Sequence, residues 1–232
     1  MKRFFLAAFL VLCGCASKKT VAPESPSKSA ATTEAAPEKP PVAGTPSESP
    51  VFNAPATNEK APFVPHMENK PLQSYLAMNL PYAPYQALYE QVQKVEGISL
   101  TNRGEAHITV ITPLEYERVL KKKLSIQEIH QIAESAKIQD AEFTPVCIGR
   151  GQKEIHGKTE KTYFVIVESP ALVDIRGLIE EAYIKNGGTP HAFIPERYSP
   201  HVTLGFTSRD LHHEDGVRKD RSHCIYKFPG QD

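Results

Sequence analysis

The chain has 232 residues, with 27 basic and 27 acidic side chains and therefore no net charge at neutral pH. Proteins that bind extended nucleic acid replace many phosphate counterions with Lys and Arg, and this sequence has no long basic run to do so. Charge thus disfavours that class of function and leaves a small or short anionic ligand open. The length is sufficient for one domain with a real hydrophobic core.

Residues 1–15 have the layout of an export signal, because Lys2-Arg3 precedes an apolar run that is too short to span a bilayer as a helix. The end of that run, Leu12-Cys13-Gly14-Cys15, resembles the bacterial lipobox, in which the last cysteine becomes the acylated first residue of the mature protein. The resemblance implies a lipid anchor on Cys15. The neighbouring Ala16, in place of an aspartate, implies sorting to the outer membrane of the cell envelope, with the domain facing the periplasm. An ordinary secretory signal cleaved nearby is the alternative.

Residues 16–65 are dense in Pro, Ala, Ser, Thr and Glu and contain no Leu, Ile, Met or Tyr. Such a composition buries too little apolar surface to offset the entropy of ordering the chain. We therefore predict a disordered tether, semi-extended because of its proline content, that holds the domain away from the membrane.

Residues 66–232 are predicted to form one domain of the α+β class. Once Cys13 leaves with the signal and Cys15 is acylated, this domain keeps two cysteines, Cys147 and Cys224. An oxidising periplasm permits a disulfide between them, and the sequence leaves open whether they are close enough to form it.

Strand and helix patterns alternate through this domain. In its first half, alternating apolar residues predict a strand over 72–80, and helical spacing predicts a helix from Tyr85 that stops at Gly97. A strand that bears a histidine follows. A short helix opened by Pro113 and a helix that begins with a capping box at Ser125 complete this half.

The second half repeats the order of elements. Two strands are predicted around residues 142–149 and 162–168, joined by a polar loop over 150–161. A helix opens at Ser169-Pro170, a second strand with a histidine follows it, and alternation over 224–228 predicts a last strand. Because each half contains a strand, a helix and a strand, we predict duplicated units that form two antiparallel sheets around a central cleft.

Two four-residue strings carry the same alternation of polar and apolar residues: His107-Ile108-Thr109-Val110 and His201-Val202-Thr203-Leu204. Alternate side chains of a strand point to the same face, so each string places a histidine and a threonine on one face and two aliphatic residues on the other. The aliphatic pair anchors the strand in a core and leaves the polar pair facing a cleft. If duplication brings the two strands together, two imidazoles and two hydroxyls line one cavity.

This set of groups suits acid and base chemistry on a phosphate. Hydrolysis of a cyclic phosphodiester takes a proton from the attacking water and gives one to the departing oxygen. Histidine alone has an unperturbed pKa at which its neutral and protonated forms are both available near neutral pH. Hydroxyl groups donate hydrogen bonds to the non-bridging oxygens, where negative charge must be held. The scheme requires no metal and no cofactor, and the sequence does not assign the base and the acid.

The two strings, with these elements between them, resemble those of the two-histidine (2H) phosphoesterase superfamily. The wider strings over 103–113 and 199–206 resemble its RNA-repair-like branch of cyclic phosphodiesterases. The resemblance covers the chain from about Leu72 to its C-terminus and excludes the predicted tether. It implies a 2H phosphoesterase fold and metal-independent hydrolysis of a 2′,3′-cyclic phosphodiester of a nucleotide or a short RNA end.

The resemblance also implies roles for individual residues. His107 and His201 are expected to be catalytic, and Thr109 and Thr203 are expected to bind the phosphate. Both strings match the family pattern at these positions.

The sequence gives less support for a functional role of the residues near the second string and of the other histidines. Tyr198 and Arg197 directly precede the second string and are candidates for a further substrate contact. A place on the surface or in a loop is the competing interpretation, because bidentate use of an arginine needs a geometry that a sequence does not show. The remaining histidines are expected to be exposed or, at 212–213, to lie in a solvated turn rather than a metal site: His66, His130, His156, His191, His212, His213 and His223.

Two classes of function stay open at this point. The first is a monomeric, lipid-anchored hydrolase acting on a small phosphorylated nucleotide or a short RNA end. The second is a non-catalytic module of the envelope that binds a phosphorylated ligand or a protein partner. A metal-dependent hydrolase is a third and less favoured interpretation.

Overall fold

A computed structural model describes residues 50–68 and 70–230 of the chain. The predicted signal, the predicted lipid attachment at Cys15 and the predicted tether up to residue 49 lie outside these residues. Over the described ranges, no helix combines the length and the apolar character needed to cross a membrane.

Strands and helices alternate along the described chain. The strands are β1 (Leu76–Leu80), β2 (Ala106–Ile111), β3 (Thr144–Ile155), β4 (Lys158–Glu168), β5 (His201–Phe206) and β6 (Cys224–Lys227). The helices are α1 (Tyr82–Glu96), α2 (Pro113–Arg118), α3 (Ile126–Ser135) and α4 (Pro170–Lys185). The first strand is shorter than the predicted 72–80, because Leu72 is exposed and takes a positive φ of 60°.

The strands form two antiparallel sheets, which confirms the predicted fold class. One sheet pairs β1 with β2, and the other has the order β5-β4-β3-β6. In both β1-α1-β2 and β4-α4-β5, a helix connects two strands that are antiparallel neighbours. Each histidine strand is the second strand of its unit, and β2 lies against β5 where the two sheets meet.

The helices form where the sequence patterns predict them. Tyr85, Leu88 and Val92 are buried on one face of α1, and Gly97 ends that helix in the left-handed region with φ of 62°. Helix α3 begins with the predicted capping box, in which the Ser125 hydroxyl accepts from the backbone N–H of Glu128 and the Glu128 carboxylate accepts from Ser125.

The prediction of a polar loop over 150–161 is wrong, because those residues continue the two strands. Strands β3 and β4 form a long hairpin that closes with the two-residue turn His156-Gly157, in which both residues have positive φ. The end of this hairpin is mostly exposed, so its residues are polar and lack the apolar alternation that identifies a strand that is buried on one face.

The predicted domain boundary at residue 66 also needs correction. Phe52 is fully buried in the main core and its ring centroid lies 4.6 Å from that of Tyr226. Further along, the Gln139 amide donates to the carbonyl oxygen of Ala61 at 2.7 Å. Residues 50–65 therefore belong to the folded unit, and average composition over 16–65 conceals the few apolar residues that anchor its last part.

The two domain cysteines are joined. Cys147 in β3 and Cys224 at the start of β6 form a disulfide, with their Cα atoms 5.8 Å apart. The bridge ties the C-terminal segment to the central strand of the large sheet, and so answers the question that the sequence leaves open.

Candidate active site

The two histidine strings form strands with the predicted alternation. In β2, Ile108 and Val110 are fully buried, whereas His107 and Thr109 are partly exposed on the other face. In β5, Val202 and Leu204 are buried, and His201 and Thr203 are partly exposed. The aliphatic side chains hold each strand in the core, so the polar pair is presented away from it.

The packing of β2 against β5 brings the two strings to one place. His107 from β2 and Thr203 from β5 line the same enclosed cavity of about 10 Å³, together with Arg103 and Glu105. That volume holds about one water molecule. His201 lies two residues before Thr203 on the same face of its strand, so both imidazoles belong to this region of the molecule.

His107 is a mostly buried imidazole with a carboxylate beside it. Its side chain is 12% exposed, and its Nδ1 lies 3.4 Å from a carboxylate oxygen of Glu105, a distance suitable for an ion pair but without hydrogen-bond geometry. Burial lowers the pKa of His107 to about 4, and the Glu105 charge opposes that shift. The rings of Tyr75 and His66 lie nearby, at 5.8 and 6.2 Å between centroids.

His201 has a backbone partner that sets its tautomer. Its Nδ1 lies 2.8 Å from the carbonyl oxygen of Ser199, an atom that can only accept, so Nδ1 carries a proton and donates. The neutral ring therefore presents Nε2 as an unprotonated acceptor. Burial and, to a smaller extent, the positive charge of Lys219 lower the pKa of His201 to about 3.

Both imidazoles are thus neutral at pH 7 when the site holds no ligand. A phosphate anion bound between them would stabilise an imidazolium and raise both pKa values. The arrangement can supply a base at once and can supply an acid after the anion binds.

The Thr203 hydroxyl lies against a buried ion pair that the sequence analysis missed. Its oxygen is 3.4 Å from Asp210 Oδ2 and 3.4 Å from Lys219 Nζ, and Lys219 pairs with Asp210 at 2.8 Å. Asp210 and Lys219 lie in a segment without regular helix or strand, so no periodicity or motif in the sequence identifies them. His66, which was expected to be exposed, is partly buried near His107, and His130 is buried and bonded to the Tyr75 carbonyl.

Tyr198 and Arg197, the two additional candidates, are placed differently from each other. The Tyr198 hydroxyl donates to the carbonyl oxygen of Thr109 at 3.0 Å, which connects the segment before β5 to β2. Burial raises the pKa of this phenol, so it remains a donor at neutral pH. Arg197 is exposed, and it lines neither the small cavity at His107 nor the groove that Lys219 lines.

A fully buried arginine holds these parts together. Arg176 of α4 donates to the carbonyl oxygens of Val110 at 2.6 Å and Pro195 at 2.8 Å, and it pairs with Glu115 at 2.7 Å. Its guanidinium also lies 4.7 Å from the centre of the Tyr198 ring. One side chain therefore links α4 to both β2 and the segment that leads into β5.

A wider groove opens beside the second string. It has a volume of about 550 Å³ and is bounded by Tyr198, Ser199, Pro200 and Lys219 near the site. Arg221 and three carboxylates, Glu168, Asp174 and Asp220, also line it. In residues 50–68 and 70–230, no group of three or more His, Cys, Asp or Glu side chains has the geometry to hold a metal ion.

The fold and the site define a class of protein, an α+β domain with one histidine on each of two strands that pack against each other. A family model described as the Swiss Army Knife, 2H phosphoesterase domain matches residues 74–212, which is more than half of the chain and includes both strings. The chain therefore belongs to the 2H phosphoesterases. No curated protein and no solved structure matches it.

Proposed function

We propose that the domain hydrolyses a 2′,3′-cyclic phosphodiester of a nucleotide or a short RNA end, with His107 and His201 as its acid and base. The observation that supports this is the approach of β2 to β5, which gives one cavity an imidazole from the first string and a threonine hydroxyl from the second. Membership of the 2H phosphoesterases supports the reaction class, and the cyclic substrate is our inference.

The electrostatic surroundings favour His201 as the base. Its Nε2 is unprotonated because Nδ1 donates to the Ser199 carbonyl oxygen, and burial together with the charge of Lys219 keeps the ring neutral. His107 has Glu105 beside it, which favours the imidazolium form once a phosphate is bound. In hydrolysis, Nε2 of His201 takes a proton from water and the water oxygen bonds to phosphorus. The bond from phosphorus to one ribose oxygen breaks, and that oxygen takes a proton from His107.

The threonines would hold the charge that develops on the non-bridging oxygens. Thr109 and Thr203 follow the two histidines on the same strand faces, so each hydroxyl accompanies its imidazole. A rigid donor in a partly buried site stabilises such charge without the reorganisation that water requires.

The volume and the charge of the groove are arguments for a short substrate. Its volume of about 550 Å³ is within the range of pockets that bind small molecules and is large enough for a nucleoside. Three carboxylates line it against the two cations Lys219 and Arg221, so a chain of further phosphates would meet repulsion there. A single cyclic phosphate with a nucleoside, or the last nucleotides of an RNA, fits this charge distribution better than a long nucleic acid.

The activity is tested with the full chain and a panel of cyclic and linear phosphoesters, with and without a chelator. We expect turnover of 2′,3′-cyclic phosphates that the chelator leaves intact. His107→Ala and His201→Ala should each lower kcat by about 10²–10⁴, the usual contribution of a positioned acid or base. His213→Ala is the matched control, because that histidine is exposed in a 3₁₀ turn.

Two results would contradict the proposal. Full activity in both histidine variants would remove the acid and base assignment. Binding of the cyclic phosphates by calorimetry with no turnover of any of them would favour the non-catalytic module instead.

We also propose that the domain works in the cell envelope, anchored through Cys15. The disulfide between Cys147 and Cys224 supports an oxidising compartment, since stable disulfides are rare where thiols are kept reduced.

A further inference from the structure

Asp210 lies close to three basic side chains, although one cation is enough to balance its charge. Lys219 pairs with it at 2.8 Å, and both side chains are almost fully buried, at 4% and 6% exposure. Arg103 lies 3.7 Å from the second carboxylate oxygen of Asp210, and His212 lies 3.8 Å from it. Lys219 and Arg103 together bring two positive charges to the single carboxylate of Asp210, and the Glu105 carboxylate lines the cavity beside Thr203 as well.

Lys219 comes from a segment that follows the family match, which ends at residue 212. Two contacts hold residues 211–219 on the large sheet: Val217 packs closely over Gly151 of β3, where a Cβ would lie 2.3 Å from it, and Leu211 donates its backbone N–H to the Thr162 hydroxyl. The disulfide at Cys224 fixes the chain five residues after Lys219. The ammonium group is therefore held in place before any ligand arrives.

The Lys219 ammonium reaches the substrate region. Its Nζ is 3.4 Å from the Thr203 hydroxyl oxygen, and the side chain also lines the groove next to Pro200. An ammonium has three donor protons. Asp210 accepts one and Thr203 is in reach of a second, so a third remains for an oxygen of a bound ligand.

Stability alone does not account for this pair. A buried ion pair contributes little net stability, because the loss of hydration of both charges offsets their attraction. The carboxylate of Asp210 by itself would repel a phosphate, so a cation that pairs with Asp210 beside the Thr203 hydroxyl is needed for an anion to bind there.

We propose that Lys219 binds the phosphoryl group of the substrate beside Thr203, and that Asp210 is the positioning residue that holds the Lys219 ammonium there. The inference rests on the proposed function for its substrate, and it adds a residue from outside the matched family domain to the site.

A pair of variants separates binding from structure. Lys219→Met leaves the Asp210 charge buried without its partner, which destabilises the fold and repels phosphate. The double variant Lys219→Met, Asp210→Asn replaces both charges with neutral groups of similar size and should recover a melting temperature near that of the wild type. Lys227→Met, which removes an exposed lysine of β6, is the matched control.

Two measurements are made on each full-length variant. Inorganic phosphate is titrated while the imidazole signals of His201 are followed by NMR, and kcat and KM are measured for a 2′,3′-cyclic nucleotide. We expect the folded double variant to bind phosphate at least tenfold more weakly and to show a similar loss in kcat/KM. Wild-type binding and turnover in the double variant would overturn the proposal, because Lys219 would then serve only as the partner of Asp210.

The phosphate titration keeps this test separate from the test of the proposed function. If the wild type binds phosphate but hydrolyses no cyclic phosphodiester, the proposed reaction fails and the role of Lys219 is still decided by the titration. If phosphate leaves the His201 signals of the wild type unchanged up to millimolar concentration, the proposal about Lys219 fails directly.

Discussion

At the scale of single residues, the site depends on two histidines that burial keeps neutral. The pKa values of about 4 for His107 and about 3 for His201 follow first from the loss of hydration. Lys219 adds to the shift at His201, whereas Glu105 opposes it at His107. In the proposed reaction, this difference would let two chemically identical side chains take opposite roles, one as a base and the other as an acid.

These pKa values predict how the rate depends on pH. The profile of kcat/KM reports ionisation in the free enzyme, where the acid histidine must be protonated. Because that pKa is depressed, we expect kcat/KM to rise as the pH falls from 8 to 5. The profile of kcat reports ionisation in the complex, in which the bound anion raises the pKa of the acid histidine. We therefore expect kcat to stay high up to a higher pH than kcat/KM does. Steady-state rates across this range with a cyclic nucleotide measure both profiles.

The stability of the fold sets the lowest pH at which these rates can be measured. Below pH 6.5 the histidines of the unfolded chain take up protons that His107 and His201 in the folded protein do not, so stability decreases as the pH falls from 6.5 towards their folded values. Rates should therefore be measured where circular dichroism shows the folded state. A kcat/KM that is flat or rises towards pH 8 would be incompatible with a buried histidine acting as the acid.

At the scale of elements, helix α4 positions both strands of the site through Arg176. The guanidinium is fully buried and donates to carbonyl oxygens of Val110, Pro195 and Ile194. Tyr198 in turn donates to the carbonyl of Thr109. Hydrogen bonds of Arg176 and Tyr198 therefore link β2 to the segment that leads into β5.

Replacing Arg176 with lysine should loosen this connection. A lysine keeps the charge but loses the planar set of donors, so several buried carbonyl groups lose their partners. We expect Arg176→Lys to lower the free energy of unfolding by about 2–3 kcal/mol. We also expect kcat to fall about tenfold with a smaller change in KM, because misplacement of the catalytic groups affects the transition state most.

Denaturant unfolding and steady-state kinetics on the folded protein provide the two measurements. Arg118→Lys is the matched control, since Arg118 is exposed at the end of α2. A loss of stability with an unchanged kcat would show that Arg176 supports the fold without positioning the site.

Sequence patterns predicted the elements whose signal is local. The alternation in β2 and β5 and the capping box of α3 each depend on residues within a few positions of one another, so one sequence is enough to identify them. The contact of Lys219 with Asp210 and Thr203 depends on how a segment without regular structure folds over the large sheet, and no periodicity marks it. The exposed end of the β3–β4 hairpin lacked the alternation of a half-buried strand, for the physical reason that water surrounds it.

At the scale of the whole molecule, the folded unit is larger than composition predicts. The burial of Phe52 and the hydrogen bonds to residues 61–64 place the chain from residue 50 onward with the domain. A stretch rich in proline and alanine can still pack if a few aromatic residues are suitably spaced, because one buried phenylalanine contributes about 1.5–3 kcal/mol. The last residues of a segment with the composition of a tether can therefore belong to the folded domain.

The proposed envelope location would connect the disulfide to the site. The bridge between Cys147 and Cys224 fixes the segment that carries Lys219, so the site is expected to be complete where disulfides persist. Export through the predicted signal would provide that environment, and acylation of Cys15 would keep the domain at the membrane without a spanning helix.

Expression of the full chain in a bacterial host, with a labelled fatty acid in the medium, tests this proposal. We expect label on the protein and its recovery with membranes, and we expect Cys15→Ala to abolish both. Cys13→Ala is the matched control, since that residue leaves with the signal when cleavage precedes Cys15. Label that persists in Cys15→Ala, or a wild type that carries no label and fractionates with soluble proteins, would be inconsistent with a lipid anchor at this residue.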